Sequence, residues 1–323
     1  MTNSEQTAQT LPPHQLGDTI TYRGISVTPI FPARDPICEY VSYTHAVTEG
    51  FSVKEVSESG SVGQVIADNL TGSRVLLYDG EEVRGAKQDR IVNVAVLVEA
   101  GSKTHIPVSC VEQGRWRRES EAFRPSDRMP SPKVRQSKAE RLTESPLEVG
   151  LAQSAVWDAV SMKQREHRFA SATCKHGDLI DHERPRLKEF VDSFPIQPGQ
   201  TGMVFGTNGK IVAVDFVSRP DVYRDLHEAL LTGYMLDAIS HVDRDAPHSG
   251  AAREFMEALL RAQHRSGPAA GLGTDVRIVG KGVVGSALTL DGETLQLTAF
   301  GRDDSAEEPG STRIARTSLR SHL

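Results

Sequence analysis

Apolar and polar positions trade places at short range over residues 17–116 and at helical spacing over much of the remainder. GISVTPIF (24–31) is rich in β-branched residues and predicts a strand, and FSVKEVSE alternates from Phe51 to Val56 as a half-buried strand does. VGQVIADN, SRVLLYD, RIVNVAVLVEA and THIPVSCVE predict further strands, with Asp79-Gly80 and Ala100-Gly101-Ser102 as turns. Val94, Val96 and Val98 alternate with Ala95 and Leu97, so that run predicts a central strand buried on both faces. Tyr40, Tyr43 and Val47 recur at spacings of three and four before Gly50, which predicts a short capped helix.

Farther along, 146–167 reads as a helix with Leu147, Leu151, Val156, Trp157 and Val160 as its apolar stripe, and ERPRLKEFVDSF as a shorter one. TGMVFGTNGKIVAVDFV predicts a hairpin turning at Asn208-Gly209. Helices over roughly 220–241 and 249–264 follow, and the sequence from Asp275 to Phe300 predicts strands around an Asp291-Gly292 turn. The order of elements predicts an α+β fold. Its expected parts are a β-rich N-terminal half with antiparallel sheet (17–116), a connector (117–145), and a C-terminal half of mixed helices and hairpins (146–300). The polar tails 1–16 and 301–323 are expected to be disordered.

Composition adds constraints rather than a function. The chain has 323 residues, 25% of them charged, and a net charge of −6, so its whole surface offers no field for a polyanion. The N-terminal residues resemble no signal peptide, no apolar run is long enough to span a membrane, and three scattered cysteines suit a reducing compartment; a cytoplasmic protein is expected. The charge is uneven, however. Between Arg115 and Arg141 nine basic residues face four acidic ones, a local +5 that leaves −11 for the rest. That window predicts either a solvated connector or a basic loop that closes over an anion.

The densest candidate chemistry lies between Gly80 and Trp116. DGEEVRGAKQDRIVN holds Glu81, Glu82, Lys87, Gln88, Arg90 and Asn93. A strand from about residue 86 would put Gln88 and Arg90 on one face and Lys87 and Asn93 on the other. Arginine grips anions bidentately, and amides and carboxylates bond hydroxyls, so the set suits a sugar or phosphate ligand; charges paired across an exposed sheet face would have the same composition. In THIPVSCVEQGRW, alternation aligns Ile106, Val108, Cys110 and Glu112. A carboxylate continuing an apolar face would be raised in pKa by burial and suit general acid work. Cys110 is either a nucleophile or a small buried hydrophobe, and Trp116 either a stacking platform or a rim residue. Cys174, His176, Asp178 and His182 are the candidate metal ligands by type, although they have no recognised metal spacing.

DGEEVRGAKQDRIVNVAVLVEAGSKTHIPVSCVEQGRW resembles the signature of the ARG and rhodanese-phosphatase-superfamily-associated protein (ARPP) domain family, with a similarity running from about Gly17 to Phe300. Glu81, Gly85, Lys87, Gln88, Arg90, Asn93, Cys110, Glu112, Arg115 and Trp116 match it, whereas Asp89 stands where the family usually has Asn. The family's name implies a place in NAD or ADP-ribose metabolism. The expected function is therefore binding or processing of an ADP-ribose-like, phosphorylated sugar nucleotide. Glu112, Lys87 and Cys110 are the catalytic candidates. Glu81, Glu82, Gln88, Arg90, Asn93, Arg115 and Trp116 are the candidate ligand contacts. A non-catalytic sensing or interaction module is the alternative, and nucleic-acid binding through 115–141 a further one. No cofactor or oligomeric state follows from the sequence.

Overall fold

The computed structural model describes residues 14–144 and 149–302. β1 (His14–Leu16), β2 (Ile20–Tyr22) and β3 (Ile25–Pro32) come first, then β4 (Val41–Ser42), α1 (Tyr43–Ala46), β5 (Phe51–Glu55) and β6 (Gln64–Asn69). β7 (Val75–Leu77), β8 (Glu82–Gly85), β9 (Arg90–Val92), β10 (Val96–Val98), β11 (Lys103–Cys110) and β12 (Ala122–Pro125) follow. Three helices then succeed one another: α2 (Pro132–Glu144), α3 (Val149–Glu166) and α4 (His176–Asp192). The hairpin β13 (Gly202–Thr207) and β14 (Lys210–Val217) leads to α5 (Pro220–Ala238) and α6 (Ala251–Arg261). β15 (Gln263–Pro268), β16 (Thr274–Gly280), β17 (Val283–Leu290) and β18 (Glu293–Gly301) close the described chain.

The fold is α+β, as the order of elements predicts. Nine antiparallel strands form one sheet in the order β1-β3-β13-β14-β18-β17-β16-β15, with β2 also on β3. Six others close an antiparallel barrel, β11-β6-β5-β12-β8-β9, and β10-β7-β4 make a small third sheet. Successive side chains of a strand face opposite sides, and β13 uses both. Met203 and Phe205 pack with Leu187 and Phe190 of α4 and Leu230 of α5, while Val204 joins Phe255 and Leu259 of α6 on the other face. Val53, Val65, Val83, Ile106, Val108 and Phe123 fill the barrel. Each such side chain contributes about 1.5–3 kcal/mol on burial.

β3 pairs with β13 along its length, from Ile25 opposite Thr207 to Ile30 opposite Gly202, so the N-terminal strands contribute to more than one sheet. Three expectations change. RIVNVAVLVEA is not one strand: β9 belongs to the barrel and β10 to the small sheet. The break falls where Lys138 Nζ donates to the carbonyls of Val92 and Asn93. The stretch 117–145 contains β12, a stave of the barrel, and the well-packed helix α2, whose Val134, Arg135, Lys138, Ala139 and Leu142 are buried. His14–Leu16 is an edge strand on β3 rather than part of a disordered tail. The remaining tail residues, 1–13 and from 303 onward, lie outside the described residues, as does Leu147.

Candidate functional site

Lys87, Gln88, Arg90, Cys110, Glu112, Arg115 and Trp116 gather where β8 turns into β9 and β11 ends, while Glu81 and Asn93 lie at the other end of that hairpin. No strand runs through residue 86: Ala86 to Asp89 form a turn, with Ala86 at φ 40°, so the expected division of Lys87, Gln88, Arg90 and Asn93 between two faces does not arise. The turn is held from within. Asp89 Oδ1 accepts from the Gly85 amide at 2.8 Å and Asp89 Oδ2 faces Lys175 Nζ at 2.7 Å.

Arg90 is fully buried. Its Nη2 donates to both oxygens of Glu55 at 3.0 and 3.1 Å, and its Nη1 donates to the carbonyls of Ser61 and Val62. Arg115 is equally engaged. Nε donates to Glu112 Oε2 at 2.8 Å, Nη1 to the carbonyls of Ala86 and Arg117, and Nη2 to Asp89 at 3.3 Å. Glu112 completes the knot by accepting from the Asp89 amide and from Thr173 Oγ1 at 3.0 Å. Burial pushes the Glu112 carboxyl up, but Arg115, the Asp89 amide and Lys175 outweigh it and hold the group below its ordinary value. The expectation of a raised, acid-like Glu112 is therefore reversed, because a nearby guanidinium favours the carboxylate more than burial disfavours it.

The other candidates face the same interior. Cys110 is fully buried, its thiol 2.9 Å from Gln88 Oε1, and burial pushes its pKa up to about 11. Gln88 Nε2 donates to the Glu112 carbonyl, and Asn93 Oδ1 accepts from Ser109. Glu81 and Glu82 are buried carboxyls pushed by desolvation to about 7 and about 8. Glu81 accepts from the Tyr78 amide at 2.8 Å, while Glu82 Oε2 has no partner and Glu82 Oε1 accepts from Ser126 at 3.3 Å. Lys87 and Trp116 alone reach the rim. Lys87 Nζ donates to the Ser59 carbonyl and stands 5.4 Å from the centre of the Trp116 ring, which is 46% exposed.

The proposed metal ligands disperse. His176 is wholly buried with both ring nitrogens unpartnered, and burial lowers its pKa to about 3. Asp178 accepts from Ser171 Oγ at 2.6 Å, and His182 stacks on Phe169. Among the described residues no three His, Cys, Asp or Glu side chains come close enough to hold a metal ion.

Open space with ligand chemistry lies elsewhere. A cleft of about 560 Å³ opens at the end of the large sheet, between α2, α6 and the turns of two hairpins. Lys133 of α2, Lys210 beside the Asn208-Gly209 turn, Lys281 of the β16–β17 turn and Arg302 after β18 line it, and among the described residues Asp237 and Glu254 are its carboxylates. Asp237 is already engaged by Lys163 Nζ at 2.7 Å, and Glu254 by His248 at 3.3 Å. Ile211, Phe255 and Val283 supply an apolar side. His241 borders the cleft, and burial and then Arg244, Lys133 and Lys163 lower its pKa, in keeping with a positive local potential. None of the signature side chains lines this space. Sequence reading missed it because its residues come from six separate segments, none with more than one lysine or arginine.

No helix among the described residues is long and apolar enough to cross a membrane. Searches of curated proteins and of solved structures returned no match to this chain. A family model does match, over residues 13–300, and its description links the domain to the rhodanese-phosphatase superfamily. That span takes in the barrel, the large sheet and every helix between them, so the chain belongs to the ARPP-1 family, the ARG and rhodanese-phosphatase-superfamily-associated protein domain.

Proposed function

We propose that the protein is a binding module for a small phosphate-bearing ligand of the ADP-ribose or nucleotide-sugar class, working in a reducing, cytoplasmic setting. The ligand occupies the 560 Å³ cleft, and the signature residues frame the barrel. One observation carries this reading: four cationic side chains meet around a space of small-molecule size in which Asp237 already faces Lys163. Lysines and an arginine on the walls suit phosphates, and the apolar side suits a base or sugar face. At the signature the arginine donors and the Glu112 carboxylate are taken up by neighbouring protein groups. That favours a framing role there over acid–base chemistry.

Differential scanning fluorimetry and calorimetry with ADP-ribose, NAD, UDP-glucose and inorganic phosphate test the proposal. A ligand at a hundred times its dissociation constant stabilises the fold by about 2.7 kcal/mol. The expected result is such a shift with at least one nucleotide, abolished by the surface substitution Lys281→Glu. No shift with any of them, or a shift that Lys281→Glu leaves intact, refutes it.

A further inference from the structure

The cationic cleft has a neighbour. A second cleft, of about 420 Å³, lies between α2 and α3, and Lys133 and Gln136 line both spaces. These two residues are three apart on one helix, so they form a shared rim between the clefts. Lys133 is half exposed there, and its ammonium reaches Glu166 only at 3.7 Å.

The two spaces differ in chemistry. The second has Ala155, Ala159 and the exposed Met162 on its α3 side. Its α2 side carries Glu140, which accepts from Gln136 at 2.9 Å, and Arg141, paired with Glu144 at 3.0 Å; its α3 side adds Asp158 and Lys163, the latter paired with Asp237 at 2.7 Å. Asp158 is exposed, and its carboxylate has no hydrogen bond or ion pair among the described residues. A free carboxylate beside small side chains is an acceptor for neighbouring hydroxyls, whereas it repels phosphate.

We infer that the ligand is two-headed: its phosphates lie among the cations of the first cleft and reach Lys133 on the shared rim, one head rests on that cleft's apolar side, and a polyol head enters the α2–α3 cleft, where Asp158 accepts from its hydroxyls. A nucleoside diphosphate that carries a second sugar has this layout. The inference rests on the proposed function and adds the ligand's extent and the residue that distinguishes it from a simple nucleotide.

ADP-ribose and ADP are the matched probes, since they share the base and phosphates and differ in the distal sugar. Titration calorimetry on the full chain should show ADP-ribose bound more tightly than ADP. Asp158→Ala, at an exposed helical position where alanine is well tolerated, should weaken ADP-ribose by about tenfold, as loss of a charged hydrogen bond does. It should leave ADP unchanged. Lys133→Ala should weaken both. Equal affinity of the wild type for the two probes, or an Asp158→Ala protein in which both weaken equally or neither does, overturns the inference while leaving the first cleft's role standing. Binding of neither probe, nor of any other nucleotide, removes both.

Discussion

A guanidinium has five N–H donors, and those of Arg90 and Arg115 are directed almost entirely at carbonyls and carboxylates of the same barrel. Residue type and spacing make them look like anion grips, but spacing carries no information about whether the donors are already taken. Glu112 shows the same limit in its electrostatics, since Arg115 reverses the effect that burial alone would have. Glu82 is the contrasting case: it is buried, its carboxyl is raised to about 8 by desolvation and then by Asp89, and one oxygen is unpartnered. Its folded pKa lies above its unfolded value, so between about pH 4.5 and 8 the folded state binds the extra proton. Its contribution to stability is complete below that window and is lost as pH rises through it. Glu81, raised to about 7, acts in the same direction. Thermal melts from pH 6 to 8.5 should therefore fall in midpoint for the wild type, and Glu82→Gln should flatten that fall. The slope attached to one such group approaches about 1.4 kcal/mol per pH unit. Parallel pH profiles for the two proteins would show that Glu82 ionises normally.

Helix α2 shows what happens to the basic window when it folds. Arg135 and Lys138 lie one turn apart on its inner face, beside Ala139 and Leu142, and each meets a buried aspartate from another element. Arg135 is bidentate to Asp215 of β14 at 2.7 and 2.8 Å, and Asp215 also accepts from Tyr78, Tyr234 and Thr298. Lys138 bonds Asp79 of the turn before β8, which accepts from Ser286 of β17 as well. The turn admits the guanidinium because Gly80 sits at φ 84° and a Cβ there would stand 2.6 Å from Arg135 Nε. The helix is thus tied to the barrel and the large sheet by buried charge as well as by Val134, Ala139 and Leu142, and the charged residues on its inner face mask its amphipathic pattern. Asp215→Asn should destabilise the protein by about 3–5 kcal/mol in urea titration, because it leaves the Arg135 charge buried without its partner. Arg135→Met combined with Asp215→Asn should recover part of that loss. Purely additive losses in the two substitutions would mean that the pair is not coupled.

Over the whole molecule, the local +5 ceases to be a surface feature. Arg115, Arg128, Arg135 and Lys138 are buried, and each has a carboxylate partner: Arg115 with Glu112, Arg128 with Asp181, Arg135 with Asp215 and Lys138 with Asp79. The remaining cations of the window stand on a protein of net charge −6. Fluorescence polarisation with single-stranded DNA and RNA should accordingly show no tight association at 50 mM salt. Binding that weakens a thousandfold or more between 50 and 200 mM salt would restore the nucleic-acid reading.

The family signature, the α+β class, the hairpin at Asn208-Gly209 and the turns at Asp79-Gly80 and Asp291-Gly292 could all be read from the chain, because each depends on neighbours within a few residues or on a long contiguous match. β5 and β6 were legible for the same reason: their alternation is written in consecutive positions. What no contiguous stretch could state is which charges face inward. Arg135 meets Asp215 eighty positions away, and Lys138 meets Asp79 at a separation of 59. The pairing of β3 with β13 is equally remote. The candidate cleft is the extreme case, a space bounded by cations at positions 133, 210, 281 and 302. A charge looks the same in sequence whether it is solvated, paired in a core or left lining a cleft; its desolvation and its partner are set by packing, and packing here is long-range.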